Sequence, residues 1–139
     1  MIIDFHAHLD RNPITKEYLV DELLKDMEDN NIDKRVVSTF YGTSISAAND
    51  KIVSLVREYP DKLIGCAVIN PKLDDSVEEM ERISKYKEIK MIEFNSLEHG
   101  YRPEKFAYNI DKRLNSKSVY WSWFLYYART MGILFKTIP

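Results

Sequence analysis

Leu63-Ile64-Gly65-Cys66-Ala67-Val68-Ile69 is a run of seven residues without a charge or a polar side chain. A half-buried strand alternates apolar and polar positions. A continuous apolar run of this length suits a strand covered on both faces, which usually means a parallel sheet. Pro60-Asp61 precedes the run and Pro71 terminates it. Cys66 lies inside it and is the chain's single cysteine. No internal disulfide can form, and Cys66 reads as a buried core residue in a reducing compartment rather than as a nucleophile.

Outward from this strand, helical and strand patterns alternate. Upstream, a loop over 42–49 enters a helix at about 46–58 that turns Ile52, Leu55, Val56 and Tyr59 inward. Before it, residues 35–40 form a strand, and a helix is expected over 16–30 with Thr15 as its N-cap. Leu19, Leu23 and Met27 give that helix one apolar face, and Asn30-Asn31 closes it. Ile2 to His6 is the first strand, and Asn12-Pro13 breaks it. Downstream, Asp74 or Asp75 caps a third helix reaching about Tyr86, with Val77, Met80 and Ile83 on its buried side. Residues 89–94 form a fourth strand, and 132–135 offer a fifth.

Strict βα alternation implies a parallel sheet with right-handed crossovers. The strands begin about 30 residues apart, and eight such units need about 250 residues, the size of a closed eight-stranded barrel. The fold class expected for these 139 residues is therefore α/β: a partial (β/α)8 barrel of about four βα units with a parallel sheet.

The composition is that of a globular protein, 45% apolar and 30% charged. No apolar run reaches the roughly 18–20 residues of a membrane span, and Met1-Ile2-Ile3-Asp4 lacks the basic start of a signal peptide, so neither membrane nor export is expected and the location expected is cytoplasmic. The net charge of −2 is unevenly spread. Residues 1–111 carry all 22 acidic groups and stand at −7, which makes the body a poor nucleic-acid surface. Residues 112–139 hold five basic groups and no acid.

Chemistry is suggested by His6-Ala7-His8. Side chains at i and i+2 of a strand share a face, so two imidazoles can converge on one ion. These two lie at the C-terminal end of the first strand, the end where parallel barrels carry their active sites. Neutral imidazole suits a divalent metal, zinc first, with Mn, Fe or Ni as alternatives. Such an ion lowers the pKa of water and allows hydrolysis at neutral pH. Asp4 is placed to orient a histidine from behind.

Met1-Ile2-Ile3-Asp4-Phe5-His6-Ala7-His8-Leu9 resembles the start of amidohydrolase-superfamily proteins, most closely the amidohydrolase-2 group of metal-dependent TIM-barrel hydrolases and decarboxylases. Three further stretches are similar to that group: Ala48-Asn49-Asp50 leading to Tyr59-Pro60-Asp61-Lys62-Leu63-Ile64-Gly65, Val68-Ile69-Asn70-Pro71, and Glu98-His99-Gly100-Tyr101-Arg102-Pro103. The resemblance covers residues 1–106 and leaves 107–139 as a divergent, aromatic-rich tail of the same single domain. It implies a small-molecule substrate, His6 and His8 as the first two metal ligands, and a metal-activated water that attacks a C–N or C–O bond, or a related decarboxylation. The family takes further ligands from strands five and six and an aspartate from strand eight. Here Leu134-Phe135-Lys136-Thr137 stands where strand five usually ends in histidine, and Glu93-Phe94-Asn95-Ser96 stands where strand four often reads Lys-Leu-His-Pro.

Glu93 and Asn95 alternate toward one face of strand four. Glu93 is a candidate ligand or base and Asn95 a candidate substrate contact, with a polar lining of the barrel mouth as the plainer reading of both. His99 is a candidate for catalysis or substrate binding, or a solvated loop histidine. Lys136 reads as solvated. The stretch 119–128 has no charge and six aromatics. It suits a core helix, a self-association surface that closes the missing half-barrel as a homodimer (as an open sheet edge would), or residues from a shifted reading frame. Two other functions stay open beside a hydrolase truncated to half its barrel: a non-catalytic half-barrel acting by association, and a metal-dependent DNase of the TatD type, whose opening resembles Asp4 to Asp10.

Overall fold

The computed structural model describes residues 1–101 and the backbone of residues 133–137. Among these residues, nine elements run in chain order: β1 (Ile3–His8), α1 (Val20–Asp29), β2 (Lys34–Ser38), α2 (Ile45–Glu58), β3 (Leu63–Val68), α3 (Ser76–Ile83), β4 (Ile89–Asn95), α4 (Ser96–His99) and β5 (Ile133–Thr137). The first four strands form a curled, all-parallel sheet in sequence order, each joined to the next through a helix. This is the α/β partial barrel that the alternation implies.

The run at 63–69 behaves as its composition requires. Leu63, Ala67 and Ile69 join the main core with Ile52, Leu55 and Val56 of α2 and Val77, Met80 and Ile83 of α3. Cys66 packs on the opposite face with Val36 and Met91. Its thiol is buried, and burial first, then the charge of Glu93, pushes its pKa well up. Val68 reaches the end of β3 with its N–H and C=O both bound to the buried side chain of Asn49, at 2.8 and 3.0 Å. The Asn49 amide thus acts as a surrogate peptide group and clamps α2 to β3.

Three expectations need correction. Helix α1 starts at Val20, not near residue 16, and Thr15 does not cap it. Asn12 Oδ1 accepts from the N–H groups of Ile14 and Thr15, and Lys16 has φ 63°, so the segment is held in a turn. Helix α3 ends at Ile83, and the chain reaches Tyr86 through turns bonded three residues back. A strand does form near 132–135, but β5 runs antiparallel to β4, with Ile133 opposite Asn95 and Thr137 opposite Met91. It is not the next parallel strand of a barrel.

The aromatic stretch 119–128 and the divide between 106 and 107 lie outside the described residues, as does the side chain of Lys136. No helix among the described residues is long and apolar enough to cross a membrane.

Candidate metal centre

His6 and His8 sit at the C-terminal end of β1, and Glu93 comes from β4. One potential ligand atom from each lies within 4.8 Å of the others. The two imidazoles meet edge to face with centroids 4.7 Å apart. Glu93 is fully buried, and its Oε1 lies 3.8 Å from His6 Nε2. Two donors about 2.1 Å from a zinc ion are about 3.4 Å apart in a tetrahedral site, and never more than about 4.2 Å. The trio is therefore within a shift of about 1 Å of enclosing an ion. Two histidines and a glutamate are also a donor set used for zinc with an open position.

The local structure explains the convergence. Relative to β2, β1 holds one extra residue between Asp4 and Ala7, a bulge that re-aims the strand end. Asp4 Oδ1 accepts the His6 N–H at 3.1 Å, while Oδ2 pairs with Arg35 Nε at 2.8 Å. Arg35 is buried and also reaches Asp26 of α1 at 2.6 Å. Asp4 therefore steadies His6 through the backbone, not through its ring. The Arg35 guanidinium draws the carboxylate away from the imidazole.

Ser38, at the end of β2, occupies the centre of the site. Its Oγ lies 2.7 Å from Glu93 Oε2 and 3.0 Å from His8 Nδ1. Sequence reasoning missed it, because a serine closing an apolar strand is ordinary. The polar pair Ser38-Thr39 after Val36-Val37, beside the histidine-bearing strand, was the available signal. Asn95 donates Nδ2 to Glu93 Oε1 at 3.3 Å and caps α4 by accepting from Leu97 and Glu98. It supports the carboxylate and is engaged on both ends of its amide. His99 stands one ring away: Phe40 lies between it and His8, with centroid distances of 6.0 and 5.0 Å.

The charges divide clearly. Pairing with Glu93 is the largest influence on His6 and raises its pKa against the opposing effect of burial. Burial is the largest influence on His8 and lowers it, as it does for His99. Burial alone would raise Glu93, but His6, Ser38 and the charge of His8 together hold it below the usual carboxylate value. His6 thus holds its proton more tightly than a free imidazole, and His8 less tightly.

A cavity of about 960 Å³ opens at the other end of the sheet between Phe5, Ile64, Arg57 and Met91. It contains none of the three candidate ligands. A smaller one of about 360 Å³ adjoins the site across Phe40 and is lined by Ser44, Ser46, Asn70 and Ser76. No protein-family model matches the chain, and no curated protein matches it.

Proposed function

We propose that this chain binds a divalent metal ion, zinc first, through His6, His8 and Glu93, and that it is a hydrolase of the amidohydrolase type. The observation that carries the reading is the convergence of the three side chains, from the first and fourth strands, at the C-terminal end of a parallel half-barrel. The resemblance of the opening nine residues supports the same assignment. A bound divalent ion would supply Lewis acidity and make water a nucleophile near neutral pH. Glu93, held by Ser38 and Asn95, would take up the proton released as water attacks a C–N or C–O bond. Phe40 packs against the ring of His8. The cavity across Phe40, with its hydroxyl and amide groups, would hold the polar part of a small substrate.

The test is metal content. Protein purified without chelator and exposed to Zn²⁺ or Mn²⁺ is expected to retain about one ion per chain, and His6→Ala and His8→Ala to lose it. Fewer than about 0.1 ions per chain, with no thermal stabilisation by either metal, would overturn the reading.

One observation favours a second reading, a metal-binding half-barrel without catalysis. The β4 edge, where the family's fifth strand would bring another histidine, is taken by the antiparallel β5. Stoichiometric metal with no turnover of amide, ester or carboxylic acid substrates would favour it.

A further inference from the structure

The contacts of Ser38 fix more than position. Its hydroxyl carries one proton and stands between two neighbours, Glu93 Oε2 at 2.7 Å and His8 Nδ1 at 3.0 Å. An ionised carboxylate only accepts, so the hydroxyl proton is committed to Glu93. The serine oxygen then offers a lone pair to His8, and Nδ1 must carry the hydrogen that fills it. From this geometry we infer that Ser38 is a positioning residue that locks His8 as its Nδ1–H tautomer and leaves Nε2 as the ring's ligating nitrogen. The inference deepens the metal-binding reading and rests on it for its consequence, though not for the tautomer itself.

The arrangement links two candidate ligands through one hydroxyl. Metal-bound histidines commonly donate their second ring N–H to a carboxylate or a carbonyl, and this fixes the ring and its tautomer. Here the carboxylate end of that chain is Glu93, and Ser38 passes its influence to His8. Ser38 is 1% exposed. It also leaves Glu93 Oε1 clear of the serine and turned toward His6. The ring of His8 packs between Phe40, with centroids 5.0 Å apart, and His6, at 4.7 Å.

The experiment is long-range ¹H–¹⁵N correlation NMR on the ¹⁵N-labelled full chain, metal-free in chelator at pH 8. The chain has three histidines, and His8→Gln identifies the signals of His8 by their loss. The expected result is protonated Nδ1 and bare Nε2 in the wild type, retention in Ser38→Thr, and a shift toward Nε2–H in Ser38→Ala. Zinc affinity should then fall about 10–100-fold in Ser38→Ala and only a few-fold in Ser38→Thr. Nε2–H as the main form in the wild type, or an unchanged tautomer in Ser38→Ala, overturns the inference even if zinc binds. Nδ1–H in a protein that binds no metal leaves the tautomer lock standing and sinks the metal-binding reading instead.

Discussion

Glu93→Gln separates a metal ligand from a polar lining. The substitution keeps the volume and removes the charge, and it turns one of the two oxygens that accept from Ser38 and Asn95 into an NH2 donor. In the metal-free protein the carboxylate faces His6 Nε2 at 3.8 Å and is fully buried. With an effective dielectric constant of about 20, unit charges at that separation attract by about 4 kcal/mol. Burying a carboxylate costs several kcal/mol, so the two effects nearly cancel. Below pH 6.5, where His6 with its raised pKa carries its proton, metal-free stability should therefore change by less than about 2 kcal/mol in Glu93→Gln. A divalent ion doubles the charge product, and the folded metal-free protein has already met the cost of burying Glu93. Removing the charge should then cost at least about 3 kcal/mol of binding, or roughly 100-fold in Kd. Urea denaturation in chelator measures the first quantity, and titration calorimetry with Zn²⁺ and Mn²⁺ measures the second. Metal affinity within threefold of wild type would refute the reasoning and return Glu93 to a structural role.

Asn49→Ala removes both partners of the Val68 peptide groups and leaves them buried. At about 1–3 kcal/mol for each unsatisfied group, it should destabilise by roughly 2–6 kcal/mol, read as a lower urea midpoint with an unchanged slope. Gly65→Ala should also destabilise, by about 1–3 kcal/mol, because the new Cβ would meet the Glu88 carbonyl oxygen at 2.7 Å and Ile89 Cδ1 at 2.8 Å; a melting temperature equal to wild type would contradict that packing. The raised pKa of His6 means that the folded state holds its proton more tightly than the unfolded chain does. Its contribution to stability is fully present below the ordinary value of 6.5 and is lost as pH rises through the raised one. Metal must displace that proton, so Zn²⁺ affinity should strengthen across the same window above pH 6.5, and an affinity that does not change there would count against His6 as a ligand.

The parts of the fold that depend on local pattern were legible. Residues 63–69 announce a strand buried on both faces, and Ile52, Leu55 and Val56 announce the buried side of α2; both lie in the core. The direction of β5 was not legible, because an apolar run carries no sign of which way its neighbour runs. Direction depends on where the chain returns, and here it returns beside Asn95. Thr15 failed as a cap because Asn12, a stronger turn former, had already claimed the backbone there. In the site, the i, i+2 spacing made His6 and His8 visible, and alternation put Glu93 on a plausible face. Ser38 carried only a faint signal, because its meaning comes from a partner 55 residues away. The bulge in β1 was equally hidden, since Asp4 and Arg35 fix it across two strands.

The antiparallel β5 has a consequence for how the sheet could grow. With β4 taken on that side, β1 is the other terminal strand of the described sheet, and it is the strand that carries both histidines. Any strand added at its outer edge, from either direction, would run beside His6 and His8 and set its own side chains next to them. The candidate metal centre thus lies on a seam. Further donors would reach it by extension of the sheet in its own plane.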